Sequence, residues 1–383
     1  MDDFTFYEFF AGGGMARAGL GPRWRCLFAN DLSAKKAAAY RANWGDDHLH
    51  VGDVHEIGPA MLPGLADLAW GSFPCQDLSL AGAGAGLSGK RSSAFWGFWN
   101  AILALKAEGR APRTLVLENV CGALTSRGGR DFSAIGEALS DAGYRFGAMV
   151  IDAALFVPQS RPRLFIVAVA AGVGISPGLA GEGPLAPWHT KALVAAHAGM
   201  SDAARENWIW WRAEPPRANV ATLADIVEDA PQGVRWHTAR ETEAVLALMA
   251  PLHRARIAAA GAAGATCVGA VYKRMRVDAT GAKVQRAEAR FDGVAGCLRT
   301  PAGGSSRQTL ILVDGASVRT RLMSPREAAR LMGLDDGYRL PANYNDAYRL
   351  AGDGVAAPVV RFLADALLEP LLGGVAAPAR RAG

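Results

Sequence analysis

Short apolar runs alternate with longer amphipathic stretches along the first 170 residues, and this alternation constrains the fold more than any other feature. Strands that alternate with helices build a parallel sheet covered by helices on both faces. The sequence therefore predicts an α/β fold with a doubly wound, mostly parallel sheet. The predicted strands are 4–10, 25–29, 65–70, 113–117, 146–151 and 164–170, and the predicted helices are 32–43, 95–108 and 131–142.

The pattern changes after about residue 172. Residues 174–187 are rich in Gly and Pro and predict a linker, and an Ala-rich helical pattern follows at 239–263. Beyond Ser317 the earlier pattern returns, and Ser324-Pro325-Arg326-Glu327 predicts a helix start with a capping box. We predict a larger domain at 1–172 plus 318–383, a smaller domain at 173–317 and a disordered tail at 373–383.

Composition narrows the class of protein. Hydrophobic residues make up 50% of the chain and charged residues 20%, which is typical of globular proteins. The start is acidic, and no apolar stretch reaches the roughly 20 residues of a membrane helix, so we expect a soluble cytoplasmic protein without membrane contact. Five scattered cysteines without a CxxC pair indicate neither a disulfide framework nor a zinc site.

The positive charge is concentrated in one segment. Residues 272–307 hold eight basic and three acidic residues, a balance of +5, and the net charge of the whole chain is also +5. A basic segment on an otherwise neutral chain indicates contact with a polyanion, although a solvated charged surface is equally compatible with it.

A glycine-rich turn and two acids indicate a nucleoside site. Phe10-Ala11-Gly12-Gly13-Gly14 follows the first predicted strand and opens a helix. Asp31 lies 19 residues beyond Gly12, close to the offset of a ribose-binding acid, and Asp53 ends the next apolar element. S-adenosylmethionine has the ribose and exocyclic amine that two such acids suit. A ligand-free turn followed by two helix caps is the alternative.

Cys75 lies where the fourth strand ends, in Phe73-Pro74-Cys75-Gln76. A lone cysteine is most often a buried structural residue. A catalytic role for Cys75 is favoured by other motifs, because Glu118 ends the next predicted strand and Arg161 and Arg163 precede another. A glycine-rich loop at 81–91, which ends in basic residues, directly follows the cysteine.

Six segments occur in the order of one family's motifs, and through them the chain resembles the DNA (cytosine-5) methyltransferases of prokaryotic restriction-modification or orphan type. The segments are Phe10-Ala11-Gly12-Gly13-Gly14, Phe73-Pro74-Cys75-Gln76, Glu118-Asn119-Val120, Gln159-Ser160-Arg161-Pro162-Arg163, 321–333 and 352–358. One departure is notable: the family usually reads Gly-Asn-Ser-Val where this chain has Gly352-Asp353-Gly354-Val355.

The resemblance implies methyl transfer from S-adenosylmethionine to C5 of a flipped-out cytosine in duplex DNA, with S-adenosylhomocysteine as product. Cys75 would add to C6 and make C5 nucleophilic, and Glu118 would donate a proton to N3. Arg161 and Arg163 would stabilise the developing charge. The base that removes the C5 proton is not identified, and a water molecule is one candidate.

The same resemblance implies the remaining contacts, with the 173–317 domain recognising the target sequence. The expected cofactor contacts are Phe10, Ala11, Gly12, Gly14, Asp31, Leu32, Asp53, Val54, Pro74, Asp353 and Val355. The expected DNA contacts are Gln76, Ser79, Lys90, Arg91, Ser92, Arg274, Arg276, Arg299 and Arg307. Trp208, Trp210 and Trp211 we expect in the core rather than on DNA.

Double-stranded DNA is the expected partner, on the nucleoid, and we expect a monomer. The resemblance also admits a cognate restriction endonuclease that acts separately. Three alternatives are weighed against this reading: the tRNA-methylating branch of the family, an inactive DNA-binding regulator, and a nicotinamide-dependent oxidoreductase. The 173–317 domain is longer than the tRNA branch has, the intact Cys75 and Glu118 disfavour the regulator, and the glycine turn lacks the pyrophosphate fingerprint of the oxidoreductase.

Overall fold

The computed structural model describes residues 4–74, 94–217, 221–278, 280–299 and 307–373. The strands are β1 Phe4–Phe9, β2 Trp24–Asp31, β3 Leu49–Val51, β4 Leu68–Gly71, β5 Thr114–Val120, β6 Tyr144–Asp152, β7 Pro162–Ala170, β8 Ala180–Gly181, β9 Trp210–Trp211, β10 Cys267–Val277, β11 Lys283–Arg290, β12 Thr309–Asp314 and β13 Ser317–Leu322.

The helices are shorter and more numerous in the second half of the chain. They are α1 Met15–Leu20, α2 Ala34–Trp44, α3 Ala94–Ala107, α4 Arg130–Asp141, α5 Lys191–Ala198, α6 Asp202–Glu206, α7 Leu223–Ile226, α8 Ala239–Ala247, α9 Pro251–Gly261, α10 Pro325–Arg330, α11 Tyr344–Asp353, α12 Ala357–Leu363 and α13 Glu369–Gly373. A π-helical stretch, Ala364–Leu368, joins α12 to α13.

The chain divides into two compact units. The first, which we call the sheet unit, comprises Met1–Ile151, Pro162–Pro215 and Val359–Gly383. The second, the hairpin unit, comprises Asp152–Arg161 and Pro216–Pro358.

Seven strands form the central sheet of the sheet unit, in the order β3-β2-β1-β4-β5-β7-β6. The pairs from β3 to β5 are parallel, and β7 runs antiparallel to β5. Every residue of β1 is buried, as expected for a central strand with helices on both faces. The predicted α/β class and mostly parallel sheet are confirmed. The strand order reverses direction at β1 and β4, where open parallel sheets bind ligands at the carboxyl ends of their strands.

The units divide the chain at other places than the predicted domain boundaries. Residues 173–215 belong to the sheet unit, because the Trp211 indole nitrogen donates to the Val167 carbonyl at 3.0 Å and the Ile209 amide donates to the Phe146 carbonyl at 2.7 Å. A boundary at 317 would cut through the antiparallel hairpin of β12 and β13, so residues 318–358 cluster with the hairpin unit. The predicted tail, except Gly373, lies outside the described residues.

The hairpin unit contains a four-stranded antiparallel sheet in the order β11-β10-β12-β13. Its core forms where Val271, Ala287 and Ile311 pack with residues of α8 and α9. The predicted Ala-rich helix at 239–263 is split into α8 and α9, because Pro251 lacks a backbone N–H and starts a new helix instead of continuing the first.

The predicted helix start at Ser324 is confirmed by its capping box. The Ser324 hydroxyl accepts from the Glu327 amide at 3.1 Å, and the Glu327 carboxylate accepts from the Ser324 amide at 2.7 Å. That carboxylate also pairs with the fully buried Arg321, 2.8 Å from Nη1. A buried pair of this kind holds β13 against α10, because removing either charge would leave the other one buried and unpaired, which destabilises the fold.

Candidate active site and cofactor site

The turn between β1 and α1 has a strained backbone that leaves room for a ligand. Phe10 has a positive φ of 58°, which non-glycine residues rarely adopt, and Gly12 has the same value. A Cβ at Gly12 would meet no atom within 4 Å, whereas one at Gly14 would collide with the Trp44 indole. Gly14 therefore allows helix α2 to pack closely, and Gly12 borders open space.

Asp31 fixes this turn from the end of β2. It is only 8% exposed, and its carboxylate accepts from the Gly12 amide at 2.8 Å and from the Ser33 amide at 2.7 Å. Each carboxylate oxygen can accept a further hydrogen bond, so hydroxyl groups of a ligand can still be held. Leu32 follows immediately and is 72% exposed, an apolar side chain on the same edge of the sheet.

Asp53 lies beyond the end of β3 and is half exposed. Its Oδ1 accepts from the His55 amide at 3.0 Å and from His55 Nδ1 at 2.7 Å, and these bonds lower the pKa of Asp53. Val54, beside it, is buried. Two carboxyl acceptors, an exposed leucine and an open glycine turn on one edge of the sheet can hold a nucleoside through its hydroxyl, amine and ring.

Glu118 and Arg163 form an ion pair at the carboxyl end of β5. Arg163 lies opposite Val120 in the antiparallel register of β5 and β7, which places it diagonally across from Glu118. Arg163 Nε is 3.3 Å from Glu118 Oε1, and both side chains are largely buried. The structure thus brings together two of the four predicted catalytic residues.

Asn119 connects this pair to the segment that precedes Cys75. Its Nδ2 donates to the Phe73 carbonyl at 3.3 Å, and its Oδ1 accepts from the Val120 amide at 2.9 Å. β4 ends at Gly71; beyond it Phe73 is buried and Pro74 is exposed. Six predicted site residues lie outside the described residues: Cys75, Gln76, Ser79, Lys90, Arg91 and Ser92.

Arg161 has a different environment from Arg163. It is buried in the hairpin unit, where Nη1 donates to the Leu298 carbonyl at 3.0 Å and Nη2 to the carbonyls of Gly352 and Gly354 at 2.8 and 2.7 Å. These bonds join three segments that are distant in the sequence. The geometry within this unit favours a positioning role for Arg161.

The last two predicted cofactor contacts also belong to the hairpin unit. Asp353 is exposed at the end of α11, and Val355 is buried just after it. The carbonyls of Gly352 and Gly354, on either side of Asp353, are the ones that Arg161 holds. Whether either residue contacts a cofactor stays a prediction.

The predicted DNA contacts in the hairpin unit have three different environments. Arg274 and Arg276 are exposed on β10 beside Glu288, and Arg299 is exposed. Arg307 is half-buried, stacks over the Tyr344 ring at 5.4 Å from its centroid and bonds to Asn345. It lines a cavity of about 410 Å³ together with Arg235 and His237, and it is less exposed than the other three arginines.

Comparison with known proteins identifies the family. The sequence model of the C-5 cytosine-specific DNA methylases matches residues 4–369. This chain belongs to that family. The methylase is 25% identical over 390 residues to the Type II methyltransferase M.HpaII of Haemophilus parainfluenzae, a match that covers 97% of this chain and 90% of that protein. It is 24% identical to the Type II methyltransferase M.NlaX of Neisseria lactamica, with coverage of 96% and 97%.

Solved structures share the fold of the methylase. The Dnmt2 methyltransferase of S. pombe superposes with a TM-score of 0.57 at 17% identity, covering 96% of this chain and 99% of that one. The methyltransferase EhMeth of Entamoeba histolytica gives 0.57 at 13% identity, with coverage of 98% and 99%. In the described part of the methylase, no helix is long and apolar enough to cross a membrane.

Sequence reasoning assigned no role to three buried polar residues of the methylase, Asn119, Gln159 and Glu8. Asn119 was part of a recognised motif but had no assigned role, and Gln159 likewise. Gln159 is fully buried, donates to the Leu331 carbonyl at 2.7 Å and accepts from the Leu298 amide at 3.0 Å. Glu8 is buried beneath the glycine turn, where Oε1 accepts from the Arg17 amide at 3.3 Å. A carboxylate inside an otherwise apolar strand was the available signal for Glu8.

Proposed function

We propose that this methylase transfers the methyl group of S-adenosylmethionine to C5 of a flipped-out cytosine in a specific duplex DNA sequence, through a covalent bond between Cys75 and C6. The observation that carries the proposal is the Glu118–Arg163 ion pair at 3.3 Å. The neighbouring Asn119 donates to the carbonyl of Phe73, two residues before Cys75 in the sequence. The family match supports cytosine C5 as the acceptor.

The reaction needs a nucleophile because cytosine C5 alone does not attack a methyl sulfonium readily. Addition of the Cys75 thiolate to C6 moves electron density toward N3 and O2, and C5 then behaves as an enamine carbon. Bound S-adenosylmethionine supplies the electrophilic methyl group. Loss of the C5 proton to a base, for which water is one candidate, lets the thiolate leave and restores the aromatic ring.

Glu118 and Arg163 act on the polar edge of the base in this proposal. A neutral Glu118 donates a hydrogen bond to N3, and the carboxyl oxygen accepts from the exocyclic amine. Arg163 fixes the Glu118 side chain and offers a guanidinium donor where negative charge develops on O2. Their shared burial excludes water and strengthens both interactions.

Arg161 supports the site indirectly. Its guanidinium donates to backbone carbonyls of residues 298, 352 and 354, so it orders the segment that carries Asp353 and Val355. We therefore propose Arg161 as a positioning residue and Arg163 as the catalytic one.

The glycine turn and the residues that follow β2 and β3 fit the nucleoside part of S-adenosylmethionine. Asp31 retains free acceptor capacity for the ribose hydroxyls, Asp53 is exposed enough to accept from an amine, and Leu32 offers an apolar surface to the adenine ring. Phe10, Ala11, Gly12 and Gly14 shape the turn, and Val54 and Pro74 complete the proposed contacts.

Access to the target atom requires the base to leave the duplex. Residues Gln76, Ser79, Lys90, Arg91 and Ser92 are proposed to contact the DNA around the extruded base. We propose target recognition by 173–317 with the methylase acting as a monomer; the likeness to Type II methyltransferases makes a separately acting endonuclease a proposed partner.

The decisive experiment follows label from S-adenosylmethionine into mixed duplex DNA and identifies the product base. Wild-type protein should yield 5-methylcytosine, and Cys75→Ser should abolish turnover while duplex binding is retained. Cys267→Ser, a free cysteine on β10, is the matched control and should behave as wild type. No 5-methylcytosine from the wild type under any salt condition would reject the function, and preferential labelling of tRNA would favour the tRNA branch.

A further inference from the structure

One hairpin of the hairpin unit extends beyond the core that supports it. Strands β10 and β11 pair in antiparallel register from Ala270–Arg290 to Val277–Lys283. Near the base, Val271, Ala287 and Ala289 are buried against α8 and α9. Farther out, the exposed side chains are Arg274, Met275, Arg276, Val277, Lys283, Gln285 and Arg286. A two-stranded ribbon is at best marginally stable in water, so folding stability does not account for this extension.

The two faces of the ribbon differ in charge. Side chains alternate between faces along a strand, so Tyr272, Arg274 and Arg276 share one face with their cross-strand partners Glu288, Arg286 and Val284. We call this set the arginine face. Three arginines against one glutamate give it a charge of +2. The opposite face carries the exposed Met275 and Val277, which are 57% and 67% exposed.

Like charges meet directly on the arginine face. Arg274 lies opposite Arg286 in the register, and like charges at directly opposed positions destabilise an antiparallel pair. Glu288 offsets little of this, because it binds Arg276 Nε at 2.8 Å and approaches Arg274 Nε only to 3.9 Å. Among the described residues, no carboxylate forms an ion pair with Arg286.

Asp278, whose charge interacts with that of Arg286, already binds the residues of the turn. The Asp278 carboxylate accepts from the amides of Thr280 and Ala282 at 2.9 and 3.0 Å and from the Thr280 hydroxyl at 2.6 Å. These bonds hold Asp278 on the turn residues. The guanidinium of Arg286 therefore retains donors for an external anion.

The other two arginines are held in place before any partner binds. Arg274 stacks over the Tyr272 ring, 4.4 Å from its centroid, and Glu288 holds Arg276 through two guanidinium nitrogens. Fixed side chains lose less conformational entropy when they bind. Guanidinium groups prefer phosphate oxygens, and a two-stranded ribbon fits the major groove of duplex DNA.

We propose that the arginine face of the β10–β11 hairpin is a phosphate-binding surface for duplex DNA, in which Arg274 and Arg286 bind the sugar-phosphate backbone while Tyr272 positions Arg274 and Glu288 positions Arg276. The proposal rests on the proposed function for the identity of the polyanion. It adds Arg286, and it assigns this face to the backbone instead of the base edges. Contacts to phosphate set affinity and register without distinguishing sequences.

The test compares two variants of the same strand, each of which replaces a positively charged side chain by a neutral one. Arg286→Gln and Lys283→Gln each remove one exposed positive charge from β11, but their side chains lie on opposite faces. Dissociation constants for random, AT-rich and GC-rich duplexes are measured by fluorescence anisotropy over a salt series with the full-length protein. Far-UV circular dichroism verifies folding.

For Arg286→Gln, the slope of log K against log salt should fall by about 0.9, and affinity should fall by about fivefold, equally for all three duplexes. Lys283→Gln should keep the wild-type slope and affinity. Equal losses of affinity in both variants would show that the positive charge of the whole hairpin, not the arginine face, attracts DNA. A loss of affinity for only one duplex would indicate that Arg286 contacts bases. Both outcomes overturn the proposal. Equilibrium binding needs no turnover, so failed methyl transfer by the wild type would be recognised separately.

Discussion

Glu118 is the residue whose chemistry the structure constrains most closely. It lies beside Arg163 with both side chains largely buried, so its position is fixed before the base arrives. Replacement by Gln keeps the shape and the hydrogen-bond donor but removes the exchangeable carboxyl proton. We expect Glu118→Gln to lower kcat by about 10²- to 10⁴-fold with little change in KM for DNA.

Steady-state kinetics on duplex DNA, with 5-methylcytosine as the readout, would check this. Glu137→Gln, on the exposed side of α4, is a matched control that should retain wild-type kcat. An unchanged kcat in Glu118→Gln would show that catalysis does not depend on a proton from the Glu118 carboxyl group.

Glu8 gives a prediction about stability and pH. Burial raises the pKa of Glu8 from 4.5 to about 8, and hydrogen bonds from the backbone of Arg17 and Ala16 and the charge of Arg17 oppose the rise only in part. The charge of Asp31 adds to the rise, and the neighbouring Cys26 and Tyr40 also have pKa values raised by burial and by the charge of Glu8. The folded protein then holds a proton that the unfolded chain releases above pH 4.5.

Folding therefore becomes less favourable as pH rises from about 4.5 to about 8, because over this range the folded state binds more protons than the unfolded state. Glu8→Gln should remove this part of the pH dependence and leave the variant more stable than the wild type above pH 8. Urea unfolding at pH values on both sides of the window measures the difference. Parallel stability curves for the two proteins would contradict the assignment.

At the residue scale, the sequence predicted that Glu118 and Arg163 lie at one site, but it did not predict the surroundings of Arg161. Glu118 and Arg163 could be anticipated because each lies at the end of a strand that the apolar pattern defines. The different fate of Arg161, only two residues from Arg163, could not, because its acceptors at 298, 352 and 354 approach it only in the folded chain. Cys75 stays a prediction.

The turn between β1 and α1 gives a prediction at the scale of an element. Ala at a positive φ is strained by about 1–2 kcal/mol, which applies to both Gly12 and Gly14. At Gly14 the added methyl group would also strike the Trp44 indole, and overpacking adds about 1–3 kcal/mol. Gly14→Ala should therefore destabilise the fold more than Gly12→Ala, as measured by urea unfolding. Equal losses would show that the indole moves aside freely.

Elements with a clear period were predictable, and elements that depend on tertiary pairing were not. Six of the seven strands of the large sheet match predicted apolar runs within a few residues, because burial on both faces leaves a continuous apolar signature. The short edge strand β3, which is only half-buried, was not predicted. The Gly- and Pro-rich stretch at 174–187 indicated a linker, yet part of it is β8, which pairs with β9. The sequence of β8 could not predict this pairing, because β9 lies about 30 residues farther along the chain.

The charge of the whole molecule predicts how its two proposed ligands respond to salt. All of the net charge of +5 is accounted for by residues 272–307, and the remainder sums to zero. DNA binding should weaken steeply with salt, because each neutralised phosphate contributes about 0.9 to the slope. Binding of S-adenosylmethionine should change little. Calorimetric titration of the cofactor and anisotropy with duplex DNA, over one salt series, compare the two; equal salt dependence would contradict the partition.

The reversed direction of β7 has a consequence for how this enzyme could diversify. In an all-parallel sheet, only the segments that follow strands reach the ligand-binding rim. Because β7 is antiparallel to β5, the segment that precedes β7 reaches the same rim, and residue 163 meets residue 118 there. Acid and cation thus lie on two neighbouring strands, and the loops that adjoin these strands can change in length independently. Inserted chain on either side can remodel substrate choice while the strand register keeps the reacting pair aligned.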